Sequence, residues 1–199
     1  MILSIKMINL SKKIIKKNYQ DHINILRKQE KYFLKTCNEI SDKIVSRISK
    51  QGKLIICGNG GSAADAQHIA TELMVRLKKN GTPIPSIALT TDSSILTATS
   101  NDLSFYKIFS RQLEAISQKN DILLAISTSG NSLNVIEALK VSKKKKLLSI
   151  GLLGNKGGKC KKLCDSSFIV DSNNPSRVQE IHILFYHSMC EIIENKFRK

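Results

Sequence analysis

Tryptophan is absent, and Phe, Tyr and Trp together make up only 5% of the 199 residues. Platforms on which nucleobases could stack are therefore scarce. No apolar run approaches the ~18 residues that a membrane-spanning helix requires, which excludes a helical membrane protein. The opening Met1–Lys6 has too short an apolar stretch for a secretory signal and lacks a small-residue cleavage site. A cytoplasmic location is expected. The five cysteines (Cys37, Cys57, Cys160, Cys164, Cys190) are odd in number and give neither a disulfide framework nor paired Cys-x2-Cys zinc knuckles. Buried or idle thiols in a reducing compartment are expected instead. Acidic residues are also scarce, 16 against 32 Lys and Arg, for a net charge of +16. Such an excess permits binding to nucleic acid, anionic lipid or a phosphorylated metabolite. Lysine is spread along the chain, however, and the densest run, Lys143–Lys146, reads as the solvated last turn of an amphipathic helix, where cations suit the helix dipole. Neither a membrane nor a nucleic-acid partner is expected.

The chain has room for one domain and a helical extension, since domains average roughly 150 residues. Its 41% hydrophobic and 24% charged residues are ordinary for a globular protein. Residues 9–50 carry apolar positions at helical spacing (Ile14, Ile15, Ile23, Leu26, Tyr32, Phe33, Ile40, Ile44, Ile48), which predicts two amphipathic helices. Residues 1–50 are thus assigned to a helical extension that packs on the core and takes part in oligomerisation, and 51–199 to the domain proper. From Lys53 onward, short apolar runs alternate with helical patterns: Leu54–Cys57, Ser86–Leu89, Ile122–Ile126, Leu147–Ile150 and Phe168–Val170. Apolar strands without alternation, separated by helices, are what a parallel sheet covered on both faces requires. A last helix is predicted from Pro175, at its first turn, to about Phe197. The fold class is α/β, a doubly wound sandwich with an N-terminal helical extension.

Two segments repeat one device: an apolar strand, a loop of Gly, Ser and Asn, then a helix. They are Leu54–His68, with Gly58-Asn-Gly-Gly-Ser-Ala-Ala at its centre, and Ile122–Val135, with Ser127-Thr-Ser-Gly-Asn-Ser132. In an open parallel sheet such loops lie at the carboxyl ends of the strands, where ligands bind. Glycine lets a ligand approach the backbone, free N–H groups at a helix start favour an anion, and the hydroxyls add donors. Neither loop has the Gly-Lys-Ser/Thr of a P-loop or the Gly-x-Gly-x-x-Gly of a dinucleotide site, so a smaller phosphorylated ligand fits better. A tight strand-to-helix turn with no ligand is the alternative for either loop alone.

His68 and Glu72 follow the first loop at i, i+4, sharing a helix face with Cβ atoms about 6 Å apart. Such a pair can ligate a metal, act as base and partner, or simply be solvated. Gln179, His182 and His187 lie on the last helix among apolar neighbours, where a histidine is usually a satisfied core residue. Asn101-Asp102 is a further polar pair within reach of a sheet-end loop.

Gly58–Leu73, Ala125–Ser132 and Val178-Gln-Glu-Ile-His182, with Asn101-Asp102 and Gly154–Gly158, closely resemble the phosphoheptose isomerase family of the sugar isomerase (SIS) superfamily. The resemblance runs from about Tyr19 to Ile193, with the motifs in family order. It implies an SIS-type three-layer sandwich around a five-stranded parallel sheet, a homotetramer, and conversion of sedoheptulose 7-phosphate to D-glycero-D-manno-heptose 7-phosphate. That aldose–ketose isomerisation, an intramolecular oxidoreduction, opens the bacterial route to ADP- and GDP-heptose and to lipopolysaccharide heptose. By position, the resemblance makes Asn59, Gly60, Gly61, Asn101, Asp102 and Gln179 substrate-binding and Ser127, Thr128, Ser129 and Ser132 a phosphate cradle. It puts one zinc ion per subunit on His68, Glu72, Gln179 and His187, with Glu72 also touching substrate and forming the catalytic pair with His187. A non-catalytic SIS-domain relative that binds the replication initiator shares the first loop but lacks that Glu and His. Their presence here favours the enzyme.

Overall fold

The computed structural model describes residues 2–198, with side chains from residue 9 onward. Five parallel strands, β1 (Leu54–Cys57), β2 (Ser86–Ala88), β3 (Ile122–Ser127), β4 (Leu148–Gly154) and β5 (Ser166–Val170), form one sheet in the order β2-β1-β3-β4-β5. β1 and β3 are buried along their whole length, as strands covered on both faces must be. β4 runs four residues past the predicted end because Gly151-Leu-Leu-Gly154 continues the apolar run and pairs with both β3 and β5.

Alternate strand residues feed two cores. Leu54, Ile56, Leu124, Ile126, Leu152 and Phe168 face one side, where α1 (Ile2–Ile48), α2 (Gly61–Met74) and α7 (Pro175–Phe197) cover them. Ile55, Cys57, Leu123, Ala125 and Leu153 face the other, under α4 (Ile108–Ile116) and α5 (Leu133–Lys144). The short α3 (Ser93–Asp102) and α6 (Gly158–Lys161) complete the chain. The architecture is therefore the expected three-layer, doubly wound sandwich around a five-stranded parallel sheet. No helix among the described residues is long and apolar enough to cross a membrane.

One expectation fails. The two N-terminal helices are a single helix of 47 residues, about 70 Å long. Nothing between Ile2 and Ile48 breaks it, because the segment holds no Gly or Pro. The gap in the apolar pattern near Lys16-Lys17-Asn18 marks a change of surroundings, not of backbone. Ile25, Leu26, Phe33, Cys37, Ile40 and Ile44 pack on the sheet side, while Leu10, Ile14, Ile15 and Tyr19 stay exposed.

The end of α7 is anchored by an ion pair removed from water. Glu194 and Arg198 are 2% and 1% exposed. Glu194 accepts from the backbone N–H groups of Leu77 (3.1 Å) and Lys78 (3.0 Å) just beyond α2, and from Arg198 Nη1 (2.7 Å). Arg198 in turn donates to the carbonyls of Leu73, Lys79 and Thr82. Four segments are tied together by two side chains. In the middle of α7, His182 is wholly buried and its Nε2 donates to Leu153 O at 3.2 Å. Burial lowers its pKa to about 4, against which the Leu153 carbonyl works only partly.

Two outcomes follow. Glu194→Ala strands a buried guanidinium and two N–H groups, and should cost about 3–5 kcal/mol in urea unfolding, with Glu194→Gln losing less. A loss below ~1 kcal/mol for the alanine variant would remove this anchor from the account. His182 makes stability pH-dependent: the unfolded imidazole takes a proton below about 6.5, the folded one only below about 4. Between those values the unfolded chain holds more protons, so stability present above pH 6.5 drains away on acidification, by ~3 kcal/mol at full effect. His182→Met should show a correspondingly flatter profile from pH 6.5 to 4; parallel profiles would exclude it.

Candidate active site

The strand order reverses between β1 and β3, and the two loops singled out in the sequence leave the sheet there. α2 goes to one face and α5 to the other, which opens a crevice at the strands' carboxyl ends. The loops are joined by a reciprocal amide pair: Asn59 Nδ2 donates to Asn134 Oδ1 and Asn134 Nδ2 to Asn59 Oδ1, both at 2.8 Å. Asn134 is buried. Neither helix N-terminus has a side-chain cap bond. The N–H groups of Ser62, Ala63 and Val135 are taken by Asn59 O, Gly60 O and Asn134 Oδ1, and the dipoles of both helices favour an anion at these N-termini.

The serine loop is held from below by backbone. Gly130 has φ 65°, and a Cβ there would lie 2.2 Å from Gly157 O; one on Gly158 would lie 2.5 Å from Gly130 O. Cys160 N–H donates to Gly130 O (2.9 Å), Lys159 N–H to Asn131 Oδ1 (3.0 Å), and Asn131 Nδ2 to Ser129 O (3.0 Å). The segment Asn155–Gly158 pays for this contact with four successive positive φ angles. Above it the hydroxyls cluster, with Ser127 Oγ 2.9 Å from Ser132 Oγ and 3.5 Å from Ser129 Oγ. Thr128 is half-buried beside them.

Along α2, about 10 Å and about 16 Å beyond Gly61, stand His68 and Glu72, two and three turns on. Gly61 itself lies under α7: a Cβ there would meet Gln179 Nε2 at 2.3 Å, so the missing side chain lets that carboxamide cover the start of α2. His187, two turns further along α7, faces His68. The Nε2 atoms of the two histidines are 3.5 Å apart, and His68 Nε2 is 2.9 Å from Glu72 Oε1. One donor atom from each of His68, Glu72 and His187 falls within 4.8 Å of the others. Burial, then the His68 charge, lower the His187 pKa, with Glu72 opposing, so its imidazole is held neutral at neutral pH.

His68 is oriented from behind. Its Nδ1 lies 3.0 Å from Tyr186 Oη, which in turn lies 3.4 Å from Asp65 Oδ1. Burial and the Asp65 carboxylate push the phenol above its ordinary range, so it keeps its proton and donates it to Asp65. In the tautomer that carries its proton on Nδ1, His68 donates to Tyr186 and its Nε2 would be free to ligate a cation shared with Glu72 and His187. Burial lifts Asp65 to about 6, against the Tyr186 bond and the His68 charge. Two imidazoles and a carboxylate within 4.8 Å of one another are a donor set that suits zinc.

Of the residues read from sequence, His68, Glu72 and His187 are brought together, and Asn59, Gly60, Gly61, Gln179, Ser127, Thr128, Ser129 and Ser132 line the same end of the sheet. Gln179 sits over Gly61, two turns before His187 on α7. Asn101 and Asp102 are exposed at the end of α3 and are hydrogen-bonded to each other (2.8 Å). Sequence reasoning missed Asn134, Asp65 and Tyr186. A weak signal existed for each: an Asn in the first turn after the serine loop, and polar groups beside or one turn from the paired His residues.

Comparison with known proteins agrees with this geometry. Residues 18–154 match the SIS domain family. Phosphoheptose isomerase 1 of Campylobacter jejuni is 46% identical over 192 residues, covering 96% of this chain and all of that one. The solved phosphoheptose isomerase of Neisseria gonorrhoeae superposes with a TM-score of 0.87 at 37% identity, covering 92% of this chain and 98% of that one. That of Francisella tularensis gives 0.90 at 31% identity, covering 93% and 98%. With the switch-point loops, the His–Glu–His convergence and relatives matched over nearly their whole length, the chain belongs to the phosphoheptose isomerase family of SIS-domain proteins.

Proposed function

We propose that the chain is a cytoplasmic aldose–ketose isomerase that converts sedoheptulose 7-phosphate to D-glycero-D-manno-heptose 7-phosphate. The observation that carries this reading is the distance between two chemistries on one crevice. The anion-binding loops and the His68–Glu72–His187 cluster are separated by about two to three helical turns, so one extended ligand reaches both. A seven-carbon ketose phosphate has its phosphate at one end and its carbonyl at the other. The five free cysteines fit a reducing compartment.

Ser127, Thr128, Ser129, Ser132 and the start of α5 take the phosphate. Asn59, Gly60, Gly61 and Gln179 flank the carbon chain, with Asn101 and Asp102 assigned to it from the family pattern. Glu72 removes a proton from C1 and returns it to C2, a transfer one carboxylate can make between neighbouring carbons. His187, neutral, takes the proton from O1 and delivers it to O2. The carbonyl thereby moves from C2 to C1 through an enediolate, with no net gain or loss of protons. Each group is asked for roughly 10²–10⁴-fold in rate. Zinc would be held by His68, Glu72 and His187, with Gln179 assigned by family position; as a Lewis acid it stabilises negative charge on the sugar oxygens.

A homotetramer completes the reading. The exposed face of α1 at Leu10, Ile14, Ile15 and Tyr19 has the character of a helix that packs on another copy. No finding supports the initiator-binding alternative, and the Glu72–His187 pair argues for chemistry.

Incubation with sedoheptulose 7-phosphate should yield the aldose. Glu72→Gln and His187→Ala should each lose at least 100-fold in kcat while light scattering still reads a folded tetramer. Near-normal turnover in either variant would remove that residue from the chemistry. For the metal, Tyr186→Phe frees His68 Nδ1 and should weaken zinc binding by about 10–100-fold, read by competition with a chromogenic chelator. Unchanged affinity would mean that the phenol does not orient His68.

A further inference from the structure

At the opposite end of the sheet from the crevice lies a second cleft, of about 350 Å³, walled by Arg47, Lys143, Lys146 and Lys162, with Ser149 and Asp165 on its floor. Its four cations come from three separated parts of the chain: the last turn of α1, the end of α5 and the turn after α6. None of the four side chains has an acidic or hydrogen-bonding partner among the described residues. The one acid present, Asp165, is already engaged: its Oδ2 accepts from Ser149 N–H and Ser149 Oγ, both at 2.8 Å. Four formal positive charges therefore face one carboxylate that the fold itself uses. The cleft begins where β4 begins, and the serine loop lies beyond its other end, about 20 Å away.

Helix dipoles explain cations at the ends of α1 and α5 taken singly. They do not explain a lysine at residue 146. There the chain leaves α5 with φ 58°, Lys146 N–H bonded to Lys143 O and Leu147 N–H to Ser142 O. Glycine is the usual residue at that position, because a side chain in this backbone conformation is strained. A lysine in its place puts a fourth charge on a wall that already repels it.

We infer that this cleft is a binding site for a compact anion carrying a diphosphate group. The volume is at the small end of ligand sites, too small for a folded polymer to enter. No aromatic residue lines it, so a base or sugar ring would find no stacking surface and the phosphates must carry recognition. Three of the four cations are lysines, point charges on flexible stems that adapt to phosphates of varied geometry. Inorganic pyrophosphate and the diphosphate of a nucleotide share the chemistry that the cleft recognises.

Calorimetry of the full chain in 0.15 M salt with inorganic pyrophosphate, ADP and a single-stranded RNA oligomer tests this. Pyrophosphate should bind with a Kd below about 1 mM. ADP binding equally well would identify the diphosphate as the recognised group, and weaker ADP binding would assign the cleft to the free anion. Lys143→Gln/Lys162→Gln should weaken pyrophosphate at least tenfold, and saturating the crevice with sedoheptulose 7-phosphate should leave that binding in place. Should the double lysine variant fold poorly, Lys146→Gly serves instead: it should weaken pyrophosphate severalfold while raising the melting temperature. The inference is overturned if pyrophosphate fails to bind, if the lysine variants bind as the unaltered chain does, if sedoheptulose 7-phosphate displaces all of the bound pyrophosphate, or if RNA binds and pyrophosphate cannot displace it.

Discussion

The crossing of α7 over α2 is the contact on which the chemistry of this chain depends. α7 brings three kinds of residue to it at fixed helical intervals. Ile181, Phe185, Met189 and Ile193 fill the core beneath. Glu194 closes on the backbone just past the end of α2. Tyr186 and His187 then fall opposite Asp65 and His68. The register is not free to drift, since one residue of slippage turns a helix by about 100° and would carry His187 away from Glu72. The buried Glu194–Arg198 pair, of doubtful worth as a source of stability, is better read as the pin that fixes this register.

The other half of the site is set by topology. Where β1 and β3 are neighbours, their following helices pass to opposite faces and a crevice opens without any cavity being carved in the core. Side chains that touch a ligand there need not be individually stiff, because their backbone is. The Asn59–Asn134 amide pair fixes the two loops to one another, and contact between Gly130 and Gly157–Gly158 brings two chain segments closer than any Cβ would allow. The strain of the positive φ angles in Asn155–Gly158 is concentrated directly beneath the serines.

Much of this was legible in the sequence because the informative patterns are local. Apolar runs of strand length separated by helical periodicity specified a parallel sheet, and Pro175 marked the start of α7. Gly, Ser and Asn after two of those runs marked the switch-point loops before any topology was known. His68 and Glu72, one turn apart, announced themselves as a pair. What was hidden is what tertiary contact decides. The 47-residue α1 was read as two helices because its apolar face is interrupted, although its backbone is not. Helical periodicity reports what a helix packs against, and α1 packs on its own core over only part of its length. Tyr186 and Asp65, 121 positions apart, could not be paired from sequence, since neither belongs to a pattern without the other.

Buried polar groups show where the fold is committed to stability and where to chemistry. Asp121, Glu194 and Arg198 are almost wholly buried, and each has charged and backbone partners. Asp65 is buried too, yet its Oδ2 has no partner among the described residues, and its Oδ1 has only a long bond from Tyr186. A carboxylate left half-satisfied is costly, and burial accordingly lifts its pKa toward neutrality. That cost makes sense only if something else benefits. The beneficiary is His68, whose imidazole is held by the Asp65–Tyr186 chain so that its Nε2 meets Glu72 and His187. Ser142 Oγ, Arg177 Nε and His182 Nδ1 are also unpartnered among the described residues, but none of these residues is hydrogen-bonded to His68, Glu72 or His187. An unsatisfied buried group marks a functional site when a hydrogen-bonded chain leads from it to the reacting end of the crevice, and in this protein Asp65 meets that condition.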